Sequence, residues 1–180
     1  AYQSRGLGDV YKRQLLDWLR NYHKITGTKE GCAEGDCGAC SVIINKQNKE
    51  DSKPINSCLV RLGQVIGNNI TTIEGLGCDK NPHPLQMAFS NEYASQCGYC
   101  TPGFIISGVS LINSGKVVNN DTINDAISGN LCRCTGYSPI IKAIKSVSDR
   151  KTKFTKVEIV NKEKKVCLGN ITYLLSLIHI

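Results

Sequence analysis

Apolar residues first recur at helical spacing at Leu15, Leu16, Trp18, Leu19 and Tyr22. That stripe predicts an amphipathic helix with its apolar face turned inward. The pattern then shortens. Residues 41–45 (SVIIN) read as a β-branched strand, residues 46–54 (KQNKEDSKP) as a polar turn, and residues 55–60 as a second strand carrying Cys58. Residues 70–74 (ITTIE), bounded by Asn68-Asn69 and Gly75, predict a third. The stretch 75–84, GLGCDKNPHP, is rich in Gly, Pro and Asn and marks a boundary between two domains. Beyond it the period lengthens, and residues 85–94, 104–113, 123–128 and 140–147 predict four helices with short connections, a compact bundle.

The ten cysteines among 180 residues add chemistry to that outline. The loop GCAEGDCGAC places Cys32, Cys37 and Cys40 at C-x4-C-x2-C, and Cys58 follows after seventeen residues. This is the ligand order of a plant-type [2Fe–2S] cluster: three thiolates on one loop and a fourth from further along. A loop wrapped round inorganic sulfide must aim backbone N–H groups at sulfur, so it needs small residues and positive-φ positions. Gly31, Ala33, Gly35, Gly38 and Ala39 supply them. Zinc sites usually present two short hooks instead, which this run fits poorly. A helix and short strands around such a loop predict a ferredoxin-type α+β domain, although the β-hairpin that normally opens one is missing from the pattern.

A second set lies among the predicted helices. Cys97 and Cys100 form C-x2-C in QCGYCTPG, and Cys132 and Cys134 form C-x-C in GNLCRCTGYSP. Thr101-Pro102 and Ser138-Pro139 each read as an N-cap followed by Pro at the first helical position. Two helix N-termini therefore converge on these thiols, and their positive ends favour an anionic cluster. Spacing alone leaves a four-cysteine zinc site open here. Cys78 and Cys167 fall outside both sets and read as unliganded thiols. His23, His83 and His179 are isolated and read as surface or packing residues.

Charge narrows the partners. The net +7 is concentrated at the ends, +6 over residues 142–165 and +2 over residues 1–14, which leaves −1 for the 127 residues between. Without aromatic interleaving or a binding motif, the basic tail reads as a solvated linker rather than a nucleic-acid arm. No export signal opens the chain and no apolar run approaches a membrane span, so thiol chemistry in a cytoplasmic setting is expected. The sequences AYQSRGLGDVYKRQ (1–14) and 174–180 read as sequencing artefact, with a natural helical start YKRQLLDWLRNY as the alternative.

Six ordered motifs, GTKEGCAEGDCGACSVII, INSCL, TTIEGL, HPLQ, QCGYCTPGF and GNLCRCTGYSPI, resemble the iron–sulfur region of the molybdenum hydroxylases from about residue 15 to 146. KEGCAEGDCGAC looks closest to the small subunit of bacterial xanthine dehydrogenases. The resemblance implies a plant-type ferredoxin (β-grasp) domain over 15–76 and an all-α four-helix [2Fe–2S]-binding bundle over 82–147. It implies one cluster on Cys32, Cys37, Cys40 and Cys58 and another on Cys97, Cys100, Cys132 and Cys134, with Gln96 and Cys134 hydrogen-bonding a molybdopterin held by a large subunit. Electrons would pass from molybdopterin through both clusters to FAD and NAD, and residues 148–173 would be a linker toward an FAD domain. No substrate-transforming site is expected in this chain. Two alternatives stay open: a stand-alone small subunit of an aldehyde, carbon monoxide or N-heterocycle oxidoreductase, and an independent ferredoxin-like carrier.

Overall fold

Leu15, Leu16, Trp18 and Leu19 are all buried, as their spacing requires. In the computed structural model, which describes residues 13–46 and 52–149, they lie on helix α1. This helix runs as an α-helix over Leu15–Asp17 and widens to a π-helical turn over Trp18–Tyr22. Tyr22 departs from the predicted stripe. The wider turn shifts it off the buried face, and it stands exposed with its ring edge-on to His23. Immediately before α1, the Arg13 carbonyl accepts a hydrogen bond from Leu62 N at 3.0 Å, and Gln14 bridges Arg61. These two residues, set aside at the sequence level with the first fourteen, are part of the fold. Residues 1–12, 150–180, and with them Cys167 and His179, lie outside the described residues.

Three strands form an antiparallel sheet in the order β2-β1-β3: β1 Ser41–Lys46, β2 Ser52–Asn56 and β3 Asn68–Thr71. Val42 stands opposite Ile55, and Ile44 opposite Ile70. Pro54 sits on β2, an edge strand of this sheet, where its missing N–H leaves no ladder bond unmade. Two predicted strands need correction. The second ends at Asn56 rather than running to residue 60, because Leu59 N closes a turn on Asn56 O at 3.0 Å, so Cys58 lies on a turn. The third ends at Thr71; Gly75 N bonds Thr72 O at 3.0 Å and winds Ile73–Gly75 into a 3-10 turn.

The central strand serves two cores. Val42 joins Leu15, Trp18, Leu19, Leu62, Val65 and Ile70 on one side. Its neighbour Ile43 faces the opposite way, as strand alternation demands, and joins the apolar core of the helices. Those helices are α2 Pro84–Asn91, α3 Thr101–Asn113, α4 Asn120–Ile127 and α5 Ser138–Asp149. The mixed helical and small-sheet architecture is the α+β arrangement expected from the sequence. Every residue of α3 from Gly103 to Leu111 is buried, which identifies it as the central helix, between the sheet and the other helices.

The helix starts also differ from expectation. Thr101 and Ser138 are themselves the first helical residues, and Cys100 takes the N-cap position of α3 with no side-chain cap bond. His83, expected to be a surface or packing residue, is buried and caps α2: its Nδ1 accepts Leu85 N at 3.1 Å, while Gln86 Oε1 accepts His83 N at 2.7 Å. Burial holds its imidazole pKa below the ordinary value, so the neutral, accepting ring is favoured. Asn119 caps α4 in the same way, accepting Thr122 N at 2.9 Å while Thr122 Oγ1 accepts Asn119 N at 2.9 Å. Asn119→Ala is expected to lower unfolding stability by about 1 kcal/mol in a urea titration. An unchanged midpoint would show that Thr122 Oγ1 alone secures the helix end.

Candidate metal centres

The loop between α1 and β1 brings Cys32, Cys37 and Cys40 toward Cys58 by a series of left-handed residues. Ala33, Gly35 and Gly38 have φ of 60°, 92° and 67°. Two of the three are glycines and the third the smallest chiral residue, as such a backbone requires. Gly31 is needed for space instead, since a side chain there would press into Cys37 Sγ. The resulting curl points amides at sulfur: Glu34 N lies 3.5 Å and Cys37 N 3.4 Å from Cys32 Sγ. Backbone N–H donation, from Glu34 first, brings the Cys32 thiol down to about 7. Cys40 and Cys58 are buried with their sulfurs 3.4 Å apart. Burial, then the Cys40 thiol beside it, pushes Cys58 up to about 12.

Cys58 is fixed to this loop through its neighbours. Ser57 donates from both N (3.2 Å) and Oγ (2.7 Å) to Cys40 O, and Asn56 Nδ2 donates to Gly35 O at 2.6 Å. Glu74 Oε1 accepts Gly27 N at 2.6 Å at the loop's entry. Asn56, Ser57 and Glu74 fall within the INSCL and TTIEGL motifs, but nothing in the sequence marks them as supports of this loop.

The second set assembles where α3 and α5 begin. Cys100 and Cys132 lie side by side, half-buried. Burial, then the Cys132 thiol, pushes Cys100 up to about 12. Burial also raises Cys132, but the Thr135 hydroxyl, 3.1 Å from its sulfur, and nearby N–H groups outweigh it and leave the thiol below its ordinary value. Cys97 and Cys134 form the outer pair, both exposed, and the Cys97 side chain holds the Cys134 thiol above its usual range. Gln96 is exposed next to them. Tyr137, left-handed at φ 67°, accepts Cys132 N on its hydroxyl at 3.0 Å and stacks edge-on to Phe104 of α3.

All eight cysteines singled out in the sequence are thus brought together, and they meet in pairs: Cys32 with Cys37, Cys40 with Cys58, Cys97 with Cys134 and Cys100 with Cys132. Among the described residues no group of three or more His, Cys, Asp or Glu side chains is disposed to hold a single metal ion. Two thiol pairs at each site match in number the donor set of a binuclear cluster, in which each iron takes two thiolates. Cys78 is in neither group; it bridges Asn81 through the backbone.

The two sites are joined. Leu131 N, one residue before Cys132, donates to Cys37 O at 3.0 Å. Asn130, 4% exposed, donates from Nδ2 to Gly38 O at 3.1 Å and accepts Ser107 Oγ from α3 on its Oδ1 at 2.7 Å. Tyr99, between Cys97 and Cys100, donates its hydroxyl to Glu30 O.

Residues 9–63 match the family described as "2Fe-2S iron-sulfur cluster binding domain", and residues 72–145 match that described as "[2Fe-2S] binding domain". The xanthine dehydrogenase of Blastobotrys adeninivorans is 44% identical over 139 residues, 74% of this chain and 10% of that protein. Aldehyde oxidase 1 of Oryctolagus cuniculus is 42% identical over 137 residues, 73% of this chain and 10% of its own length. The chain therefore spans about a tenth of the length of the curated relatives it matches. Among solved structures, the aldehyde oxidoreductase of Desulfovibrio desulfuricans superposes with a TM-score of 0.72 at 36% identity, covering 78% of this chain and 15% of the other. Quinoline 2-oxidoreductase of Pseudomonas putida gives 0.69 at 37% identity over 78% of this chain, and here 86% of the other chain is covered.

Proposed function

This chain belongs to the iron–sulfur family of the molybdenum hydroxylases, and from that membership we propose that it is the electron-relay segment of a xanthine dehydrogenase-type assembly. The observation that carries the residue assignment is the pairing of thiols: two pairs on the loop before β1 and its partner turn, two at the starts of α3 and α5. Cys32, Cys37, Cys40 and Cys58 hold one [2Fe–2S] cluster; Cys97, Cys100, Cys132 and Cys134 hold the other. When bound, the clusters would supply one-electron transfer. The protein's part is to set their environment: amides at Cys32 Sγ stabilise negative charge on sulfur, and burial at Cys40 and Cys58 opposes it. The two domains run over 15–76 and 82–147.

The exposed trio Gln96, Cys97 and Cys134 forms the face on which a molybdopterin-binding large subunit docks, with Gln96 and Cys134 as pterin contacts. The plant-type site looks toward an FAD domain, in cis or as a subunit, and the assembly works on hypoxanthine or xanthine in the cytoplasm. No described helix is long and apolar enough to cross a membrane. A second reading has its own support: because 86% of the matched quinoline 2-oxidoreductase chain is covered, a separate small subunit of an aldehyde or N-heterocycle oxidoreductase fits the length.

The test begins with anaerobic loading with iron and sulfide. Iron and acid-labile sulfide should be taken up in equal amounts, with two distinguishable paramagnetic signals on reduction. Zinc uptake with no sulfide would sink the cluster assignment. An assembled enzyme that oxidises aldehydes or quinoline but leaves hypoxanthine untouched would replace the first reading with the second.

A further inference from the structure

Three features outside the thiols meet at one buried point. Gly103, in the first turn of α3, lies so close to Gly38 of the first cysteine loop that a side chain on Gly103 would overlap the Gly38 carbonyl. A side chain on Gly38 would in turn overlap the Gly129 carbonyl and the Asn130 amide. Into this contact Asn130 inserts its side chain, Nδ2 on Gly38 O and Oδ1 on Ser107 Oγ, so that one amide ties the first loop to the central helix. Its own backbone is held as well, N to Ile127 O at 2.8 Å and O by the Tyr137 hydroxyl at 3.4 Å. The next amide, Leu131 N, then lands on Cys37 O.

We propose that Asn130 is a positioning residue that locks the two cysteine loops into one rigid frame, and so fixes the separation and relative orientation of the two iron–sulfur sites. This rests on the two-cluster reading above. The chemistry of the clasp is specific. The neutral amide of Asn130 uses separate atoms for the two tasks, Nδ2 to donate to a carbonyl on one side and Oδ1 to accept a hydroxyl on the other. Losing it leaves Ser107 Oγ without this acceptor and the Gly38 carbonyl with donors only from Ser41 of its own loop, so that the bond tying the loop to α3 is gone. The Leu131–Cys37 hydrogen bond, which spans the two sites, then depends on a loop no longer held from the side. Aspartate is a sharp probe at a pH where it is ionised, since it then still accepts from Ser107 but offers Gly38 O only repulsion.

Two measurements on the full chain test it, neither of which is turnover. In the metal-free chain, hydrogen exchange at the Leu131 amide should speed about tenfold in Asn130→Asp while amides within α5 keep their protection. In the loaded chain with both clusters reduced, the magnetic splitting between them should be resolved in the parent and smeared in Asn130→Asp at equal cluster content. Ser107→Ala should do the same more weakly, with Ser107→Thr restoring the parent pattern. Unchanged exchange and splitting in Asn130→Asp would overturn the proposal. Should Asn130→Asp fail to fold, Ser107→Ala decides alone, and parent-like behaviour there overturns it equally. A parent chain that loads fewer than two clusters is a failure of the two-cluster reading, and the exchange measurement still judges the clasp.

Discussion

Gly103→Ala is expected to destabilise the chain by about 3 kcal/mol or more. The atom in its way is backbone: the Gly38 carbonyl oxygen, which a Cβ on Gly103 would overlap. That oxygen cannot retreat easily, because it also accepts Ser41 N (3.1 Å), Ser41 Oγ (2.7 Å) and Asn130 Nδ2 (3.1 Å). Relief must come from sliding α3 away from the loop. Since α3 is buried from Gly103 to Leu111, that motion would loosen the packing of the helical core, Ile43 of β1 included. In an equilibrium denaturation the midpoint should fall sharply. A change within about 0.5 kcal/mol, the range of a neutral surface substitution, would mean that the helix and loop are not in rigid contact.

Cys97→Ser and Cys58→Ser should each erase one cluster's spectroscopic signal completely and leave the other. Serine keeps the size of the side chain but removes the thiolate, and a site built from two thiol pairs loses its iron when one pair is broken. The two proposed ligand sets share no residue. The bonds that join them, Leu131 N to Cys37 O, Asn130 Nδ2 to Gly38 O and the Tyr99 hydroxyl to Glu30 O, involve the side chain of neither cysteine. Cys97 is exposed at the outer edge of its site, so its replacement disturbs the core least. Cys58 is buried against Cys40, and its replacement leaves a hydroxyl where the sulfur sat 3.4 Å from a partner. A modest stability loss is therefore expected there in addition. Loss of both signals in Cys97→Ser would refute the separation of the sites.

The parts of this molecule that were legible in the sequence are those governed by neighbours. Leu15, Leu16, Trp18 and Leu19 declare a buried face because helical spacing is a local property. Gly35 and Gly38 announce a left-handed loop because glycine, without a Cβ, takes that backbone at no steric cost. The strands end short of their β-branched composition where a hydrogen bond outweighs it. Val60 and Leu59 look like strand residues, yet Leu59 N turns back to Asn56 O and delivers Cys58 to the loop. Tyr22 looks apolar and periodic, and a π turn moved it to the surface.

The cysteine spacings, the left-handed glycines and the existence of the helices were determined by the sequence alone, because each rests on residues a few positions apart. Tertiary structure alone decided that thiols pair as they do, that the face of β1 bearing Ile43 is covered by the helices, and that Asn130 reaches Gly38, 92 positions earlier in the chain. An asparagine before a cysteine carries no mark of its partner. Its donor and acceptor are satisfied only once α3 has been laid against the loop, and Gly103 is what lets the two backbones come that close.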